Sequence, residues 1–268
     1  VNTFLKDREF AQKSHLKSIN SVLWPSILMQ VVYYFHSYLE AVQYCGEEIV
    51  YVVPAGNFGN AFAAWVAKIM GLPIMRMIIS TNENDAMDAF FRTGRYHPRP
   101  ASETIATSSP SADISRAANF ERFLFEFLDR NAERVRELMN DLKEKGEFEL
   151  TREEFKKLHL CGAISGNSDH ANRLEMIEWM HVEYDIYVDP HTADTLFSGV
   201  YMHPVGMRTI CLETVNPLKF TPMIKTATGC GVELPDDFKD IYKRPVRKTS
   251  LPCDIEVIRA EINRILGE

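Results

Sequence analysis

The sequence predicts an α/β protein with a parallel sheet flanked by helices. Two apolar runs and the segment between them carry that prediction. Residues 49–53 (IVYVV) are β-branched and aromatic and stop at Pro54; residues 74–80 form a second such run. Between them lie a Gly/Asn-rich turn and an apolar stretch at helical spacing. Strand, turn, helix and strand in that order make a βαβ unit, whose strands pair in parallel and are buried on both faces.

The elements follow along the chain. Residues 4–18 are polar and charged and read as a helix or connector. From Trp24 to Val42, apolar residues recur at helical spacing: Trp24, Ile27, Leu28, Val31, Val32, Phe35, Leu39 and Val42. They predict one buried face, and Pro25 suits the first turn. The helix at 61–70 ends at Gly71, with Pro73 just beyond. Residues 93–118 are rich in Pro, Ser, Thr and Ala and predict a long loop, a kind that often serves function. Charge-laced helical stretches fill 119–145, and further helices are expected at 152–157 and 170–184. Residues 186–188 and 209–212 read as short extended segments, and 221–227 as a helix. A polar, Pro-containing stretch at 232–252 precedes a closing helix at 255–266. This divides the chain at 231/232, into a main portion (1–231) and a C-terminal segment (232–268).

Composition narrows the function. The 268 residues are 46% apolar and 25% charged, enough for a sizeable core. Net charge is -7 with no basic stripe, which argues against nucleic acid as a partner. No apolar run approaches the roughly 18 residues of a membrane span. The five cysteines are scattered and odd in number, without CxxC pairs. A reducing cytoplasm is expected, with neither a disulfide framework nor a metal site. Asn82, Asn84 and Asp85 resemble metal ligands in type but lack calcium-loop spacing.

The sharpest feature is PAGNFGN at 54–60. Gly56, Asn57, Phe58, Gly59 and Asn60 lie between a strand and a helix. Backbone N–H groups there, added to the positive end of the helix, can cradle a phosphate without Lys or Arg. The turn is neither a Walker loop nor GxGxxG. Taken alone, it is equally compatible with an ordinary tight βα connection.

Six segments in order carry a family likeness. VVPAGNFGNAFAAWVAKIMGLPI, STNENDA at 80–86, SSPSADISRAANFERFLFE at 108–126, DPHTAD at 189–194 and LETVNPLKF at 212–220 resemble threonine synthases, as does KSINSVLW at 17–24. The resemblance implies pyridoxal-phosphate (PLP) fold type II, similar to the tryptophan synthase β subunit. It implies a carbon–oxygen lyase that converts O-phosphohomoserine and water to threonine and phosphate, in threonine biosynthesis. Gly56–Asn60 would hold the cofactor phosphate, and Thr214 would face the pyridine nitrogen. Ser111, Asp113, Asn119 and Arg122 are candidates for the substrate side; their alternative is helix capping, with Arg122 solvated. His191 and Thr192 are either active-site wall or a helix start.

The family's Schiff-base lysine lies in an FKD segment far upstream of the block matched by KSINSVLW. TFLKD contains Lys6, but Lys6 is only fourteen residues before Asn20 and reads as a solvated helix lysine. The expectation is therefore a portion truncated at its N-terminus, inactive alone, with the lysine outside it. Truncation should also uncover apolar surface and favour self-association. Leu23, Val215 and Asn216 stand where the family has Asn, Ala and His. The alternatives are a non-catalytic fragment or paralogue, and a phospholyase on a related phosphoamino acid.

Overall fold

A computed structural model describes residues 2–16 and 21–267. The chain forms two compact units, one within 21–233 and one joining the start of the chain to the residues from 234 onward. The strands are β1 (Ile49–Pro54), β2 (Ile74–Thr81), β3 (Arg95–Tyr96), β4 (Phe148–Glu149), β5 (Ala163–Asn167) and β6 (Thr209–Cys211). The helices are α1 (Asn2–Lys6), α2 (Arg8–Lys13), α3 (Trp24–Ala41), α4 (Gly59–Ile69), α5 (Ala86–Thr93) and α6 (Phe120–Phe127). They continue with α7 (Ala132–Lys145), α8 (Arg152–Leu160), α9 (His170–Tyr184), α10 (Pro190–Met202), α11 (Thr221–Thr228) and α12 (Ile255–Leu266).

The larger unit is built on a four-stranded sheet of order β5-β2-β1-β6, parallel throughout. Residues 49–53 are fully buried, which explains their unbroken apolar run. The pleat divides them. Ile49, Tyr51 and Val53 join the main core with α3 and α4, whereas Val50 and Val52 pack with Ile78, Met202 and Cys211 on the other face. There α10 runs close to the sheet. A Cβ on Gly199 would lie 2.8 Å from Cys211 Sγ and 3.2 Å from Val52 Cγ2, so only glycine fits at that crossing.

Beyond α4 an aromatic knot forms the rest of the core. Phe58, Phe90, Phe120 and Phe123 are each buried, with Phe58's ring centroid 5.3 Å from that of Phe120 and 5.4 Å from that of Phe123. Contacts at this spacing stabilise beyond simple area burial.

The expected helices at 24–42, 61–70, 221–227 and 255–266 are present within a residue or two at each end. The buried face of α3 is different from the expected one. Ile27, Val31, Tyr34 and Tyr38 are inside, while Trp24, Leu28, Val32 and Leu39 are 44–61% exposed. Apolar residues surround this helix almost completely, so periodicity could not choose the face. Hydroxyl pairing lets tyrosines take the inner stripe: Tyr34 donates to Asn60 O at 2.8 Å, and Tyr38 donates to Glu47 O at 3.1 Å. Residues 186–188 are not a strand, because no neighbouring strand pairs with them. β5 and α5 are additions. β5 reads AISGN, which has no β pattern of its own, and pairing with β2 holds it extended.

In the smaller unit, Asp7 caps α2 by accepting from Phe10 N at 3.1 Å. It also accepts from Arg259 at 3.0 Å, and the Arg259 guanidinium lies 4.5 Å from the Phe10 ring centre. Lys6 is exposed. Residues 17–20 of the KSINSVLW segment lie outside the described residues. No helix among the described residues is long and apolar enough to cross a membrane.

Candidate functional site

A cleft of about 170 Å³ opens at the carboxyl ends of β1 and β2, where parallel α/β sheets place ligands. The 54–60 turn forms one wall. Phe58 stands at φ +60°, a left-handed conformation uncommon for a residue with a side chain. The burial of its ring in the aromatic knot holds it there. The left-handed residue followed by the helical Gly59 makes a concave run of N–H groups. No side chain caps α4, so its first N–H groups remain for a ligand or water.

Every neighbour braces this turn. Asn57 Oδ1 accepts from Ala118 N at 2.7 Å, and its Nδ2 donates to Ser21 Oγ. Asn119 donates from Nδ2 to Asn57 O at 3.1 Å and to Ser21 O at 3.2 Å. A Cβ on Gly56 would come within 3.0 Å of Ala112 Cα and 3.3 Å of Ser111 O. Glycine at 56 thus lets the 110–112 turn close over the cradle.

His191 fixes that second turn. Ser111 N donates to its Nε2 at 3.0 Å, so Nε2 presents a lone pair and Nδ1–H donates to Asp189 at 2.6 Å. Asp189 caps α10, taking His191 N at 2.9 Å and the Thr192 hydroxyl as well. Burial would push its carboxyl up, but these bonds outweigh burial and hold it below the usual carboxylate range. DPHTAD is therefore both a helix start and a wall of the cleft.

The floor holds a buried ionic cluster that sequence reading missed. Arg173 is fully buried and bonds Asp194 at 3.0 Å, Glu83 at 2.5 Å and Ser108 Oγ at 2.8 Å. Asp194 lines the cleft, and burial, opposed by Arg173 and Ser168, pushes its carboxyl up to about 6. Arg173 sits among charged helix positions that resemble a solvated face. Only its lack of exposure distinguishes it.

Of the sequence-derived site residues, Gly56, Asn57, Phe58, Gly59, Asn60, Ser111 and Thr214 line this cleft. Asp113, Asn119 and Arg122 do not. Asp113 accepts from Asn82, Asn84 and Thr107 and ties the 105–113 loop together. Asn119 braces the turn, as above. Arg122 borders a separate cleft with Trp24 and Arg136. Among the described residues, none lining the first cleft is a lysine, and none can group as a metal centre.

Residues 199–262 match the family description "Threonine synthase, C-terminal". The chain is 40% identical over 265 residues to threonine synthase of Corynebacterium glutamicum, covering 98% of this chain and 55% of that protein. It is 39% identical over 260 residues to threonine synthase of Methylobacillus glycogenes, covering 97% and 55%. A crystal structure of PLP-bound threonine synthase from Brucella melitensis superposes with a TM-score of 0.90 at 32% identity, covering 98% of this chain and 56% of that one. The chain spans about half the length of the relatives it matches. By sequence, by order of segments and by fold, the chain belongs to the threonine synthase family.

Proposed function

We propose that this chain supplies the cofactor-phosphate face of a PLP-dependent threonine synthase, a lyase acting on O-phosphohomoserine to give threonine and phosphate. The observation that carries the reading is the uncapped, left-handed entry to α4 facing a cleft with no lysine or arginine among its described lining residues. A dianionic phosphate suits such a nest, since backbone dipoles can stabilise it without a paired side chain.

In this reading, N–H groups of Gly56–Asn60 bind the cofactor phosphate, while Asn57 and Asn119 keep the turn in shape. Thr214 offers a neutral hydroxyl to the pyridine nitrogen. Bound PLP would supply an electron sink for charge developing on substrate carbons. Ser111, fixed through its backbone by His191, stands on the substrate side. Asp113 and Arg122 act at one remove, Asp113 by shaping the loop that carries Ser111. The lysine that attaches the cofactor belongs outside this chain, and the reaction takes place in the cytoplasm. The exposed apolar side of α3 (Trp24, Leu28, Val32, Leu39) supports self-association of the isolated chain, which light scattering at micromolar concentration would show.

The test compares two proteins: the intact gene product and the 268-residue chain. The intact protein should release threonine and phosphate from O-phosphohomoserine in equal amounts. The chain alone should bind PLP reversibly, leave no borohydride-fixed lysine and turn over nothing. A 2-oxo acid product from the intact protein would instead indicate a phospholyase. Turnover by the chain alone would overturn the placement of the lysine.

A further inference from the structure

The inner stripe of α3 carries one polar amide among apolar and aromatic residues. Ile27, Val31, Tyr34 and Tyr38 are buried at the spacing of a helix face, and Gln30 lies within that stripe. Its two amide ends are in different situations. Nε2 donates to Ser26 O at 3.0 Å. Oε1 is buried and has no hydrogen-bond partner among the described residues. Reversing the amide would set two acceptors against each other at Ser26 O, so this orientation is the one chemistry prefers.

Gln30 is also one of the residues lining the first cleft, beside Gly59 and Asn60. A buried acceptor without a donor is costly, and native proteins retain few of them. An apolar residue at this position would match the rest of the stripe. Four other buried side-chain atoms among the described residues also lack a hydrogen-bond partner, among them Trp65 Nε1; Gln30 differs from Trp65 in lining the first cleft, where an entering group can complete its bond. The carboxylate that lines the cleft, Asp194, is already taken by Arg173 and Ser168.

We propose that Gln30 Oε1 is a ligand-reading acceptor that takes a hydrogen bond from an O–H or N–H group of the molecule bound in the cleft. The proposal rests on the cofactor reading of that cleft and adds a residue to it. The donor can belong to the ring portion of a pyridoxal-type ligand, as a hydroxyl or amine. It can also be a protonated oxygen of its phosphate. In either case Gln30 anchors the ligand from the α3 side, beside the backbone donors of the 54–60 turn.

The decisive variant is Gln30→Met, which keeps length and removes the acceptor; Gln30→Leu serves if methionine proves unstable. Affinities for pyridoxamine 5′-phosphate and for inorganic phosphate are measured by calorimetry in the intact protein freed of its cofactor, alongside unfolding without ligand. Pyridoxamine phosphate binding should weaken about tenfold. The ligand-free variant should melt at the wild-type temperature or about 2–4 °C above it, because the orphaned acceptor is gone. A residue with a purely structural role would do the reverse, lowering the melting temperature and leaving affinity alone. Unchanged phosphate affinity puts the donor on the ring portion; equal weakening of both ligands, lost at high pH, puts it on the phosphate. If wild type binds pyridoxamine phosphate and the variant binds it equally well, the Gln30 proposal is overturned. If wild type binds neither ligand, the cofactor reading itself falls, and this proposal with it.

Discussion

Replacing Arg173 by methionine tests the ionic floor of the cleft. The guanidinium has no exposure and holds Asp194, Glu83 and Ser108. Glu83 is 26% exposed and can turn to water, but Asp194, at 5%, cannot. The variant thus leaves one carboxylate buried with hydroxyl partners alone. Removing one member of a buried pair costs about 3–5 kcal/mol. In a unit of this size that lowers the melting temperature by about 10 °C.

The pH dependence gives the cleaner signature. Asp194 titrates at about 6 in the fold against 3.8 ordinarily, chiefly through burial. A raised carboxyl pKa means the folded state holds the proton more tightly than the unfolded chain. Its penalty is absent below about 4, grows as pH rises to 6 and is constant above. At neutral pH it amounts to about 3 kcal/mol, to order of magnitude. Without Arg173 the carboxyl moves higher still, so the penalty keeps growing above pH 6 by about 1.4 kcal/mol per pH unit. Urea unfolding at pH 5 and pH 8 should therefore show a much larger deficit for Arg173→Met at pH 8. Equal deficits at the two pH values would refute the account, since Arg173 would then act by packing rather than by neutralising Asp194.

Three further substitutions probe the cleft and the sheet. Gly56→Ala should drive the 110–112 turn outward, cost about 1–3 kcal/mol by crowding and weaken phosphate binding at least tenfold, read by calorimetry. Thr214→Val, at an exposed position, should change stability by less than about 0.5 kcal/mol yet shift the absorbance of bound PLP; an unchanged spectrum would remove Thr214 from the site. Gly199→Ala places a methyl 2.8 Å from Cys211 Sγ and should cost about 1–3 kcal/mol in unfolding, with less effect on ligand affinity than Gly56→Ala.

Much of the site was legible because its chemistry is local. A strand, a turn and a helix consecutive in sequence build the 54–60 cradle, so residue order alone specifies where the N–H groups gather. Phe58 shows the limit of that reading. Its place in the motif is plain, but its left-handed backbone is sustained by Phe120 and Phe123, more than sixty residues away. In the sequence, Asn119 is only a candidate for the substrate side. Three-dimensional neighbours made it a brace for Asn57.

The sequence by itself determined the βαβ frame, the glycine-rich turn and the family, since hydrophobic period and ordered motifs are properties of the chain. Only the tertiary structure decided which side of α3 is buried, that β5 is a strand, and that Gln30 and Asp194, the latter held by Arg173, line the cleft. The physical reason is that burial and pairing depend on what lies opposite in space. Arg173 and Asp194 are twenty-one residues apart, and Glu83 is ninety residues from Arg173. A charge on a helix looks solvated until another element closes over it.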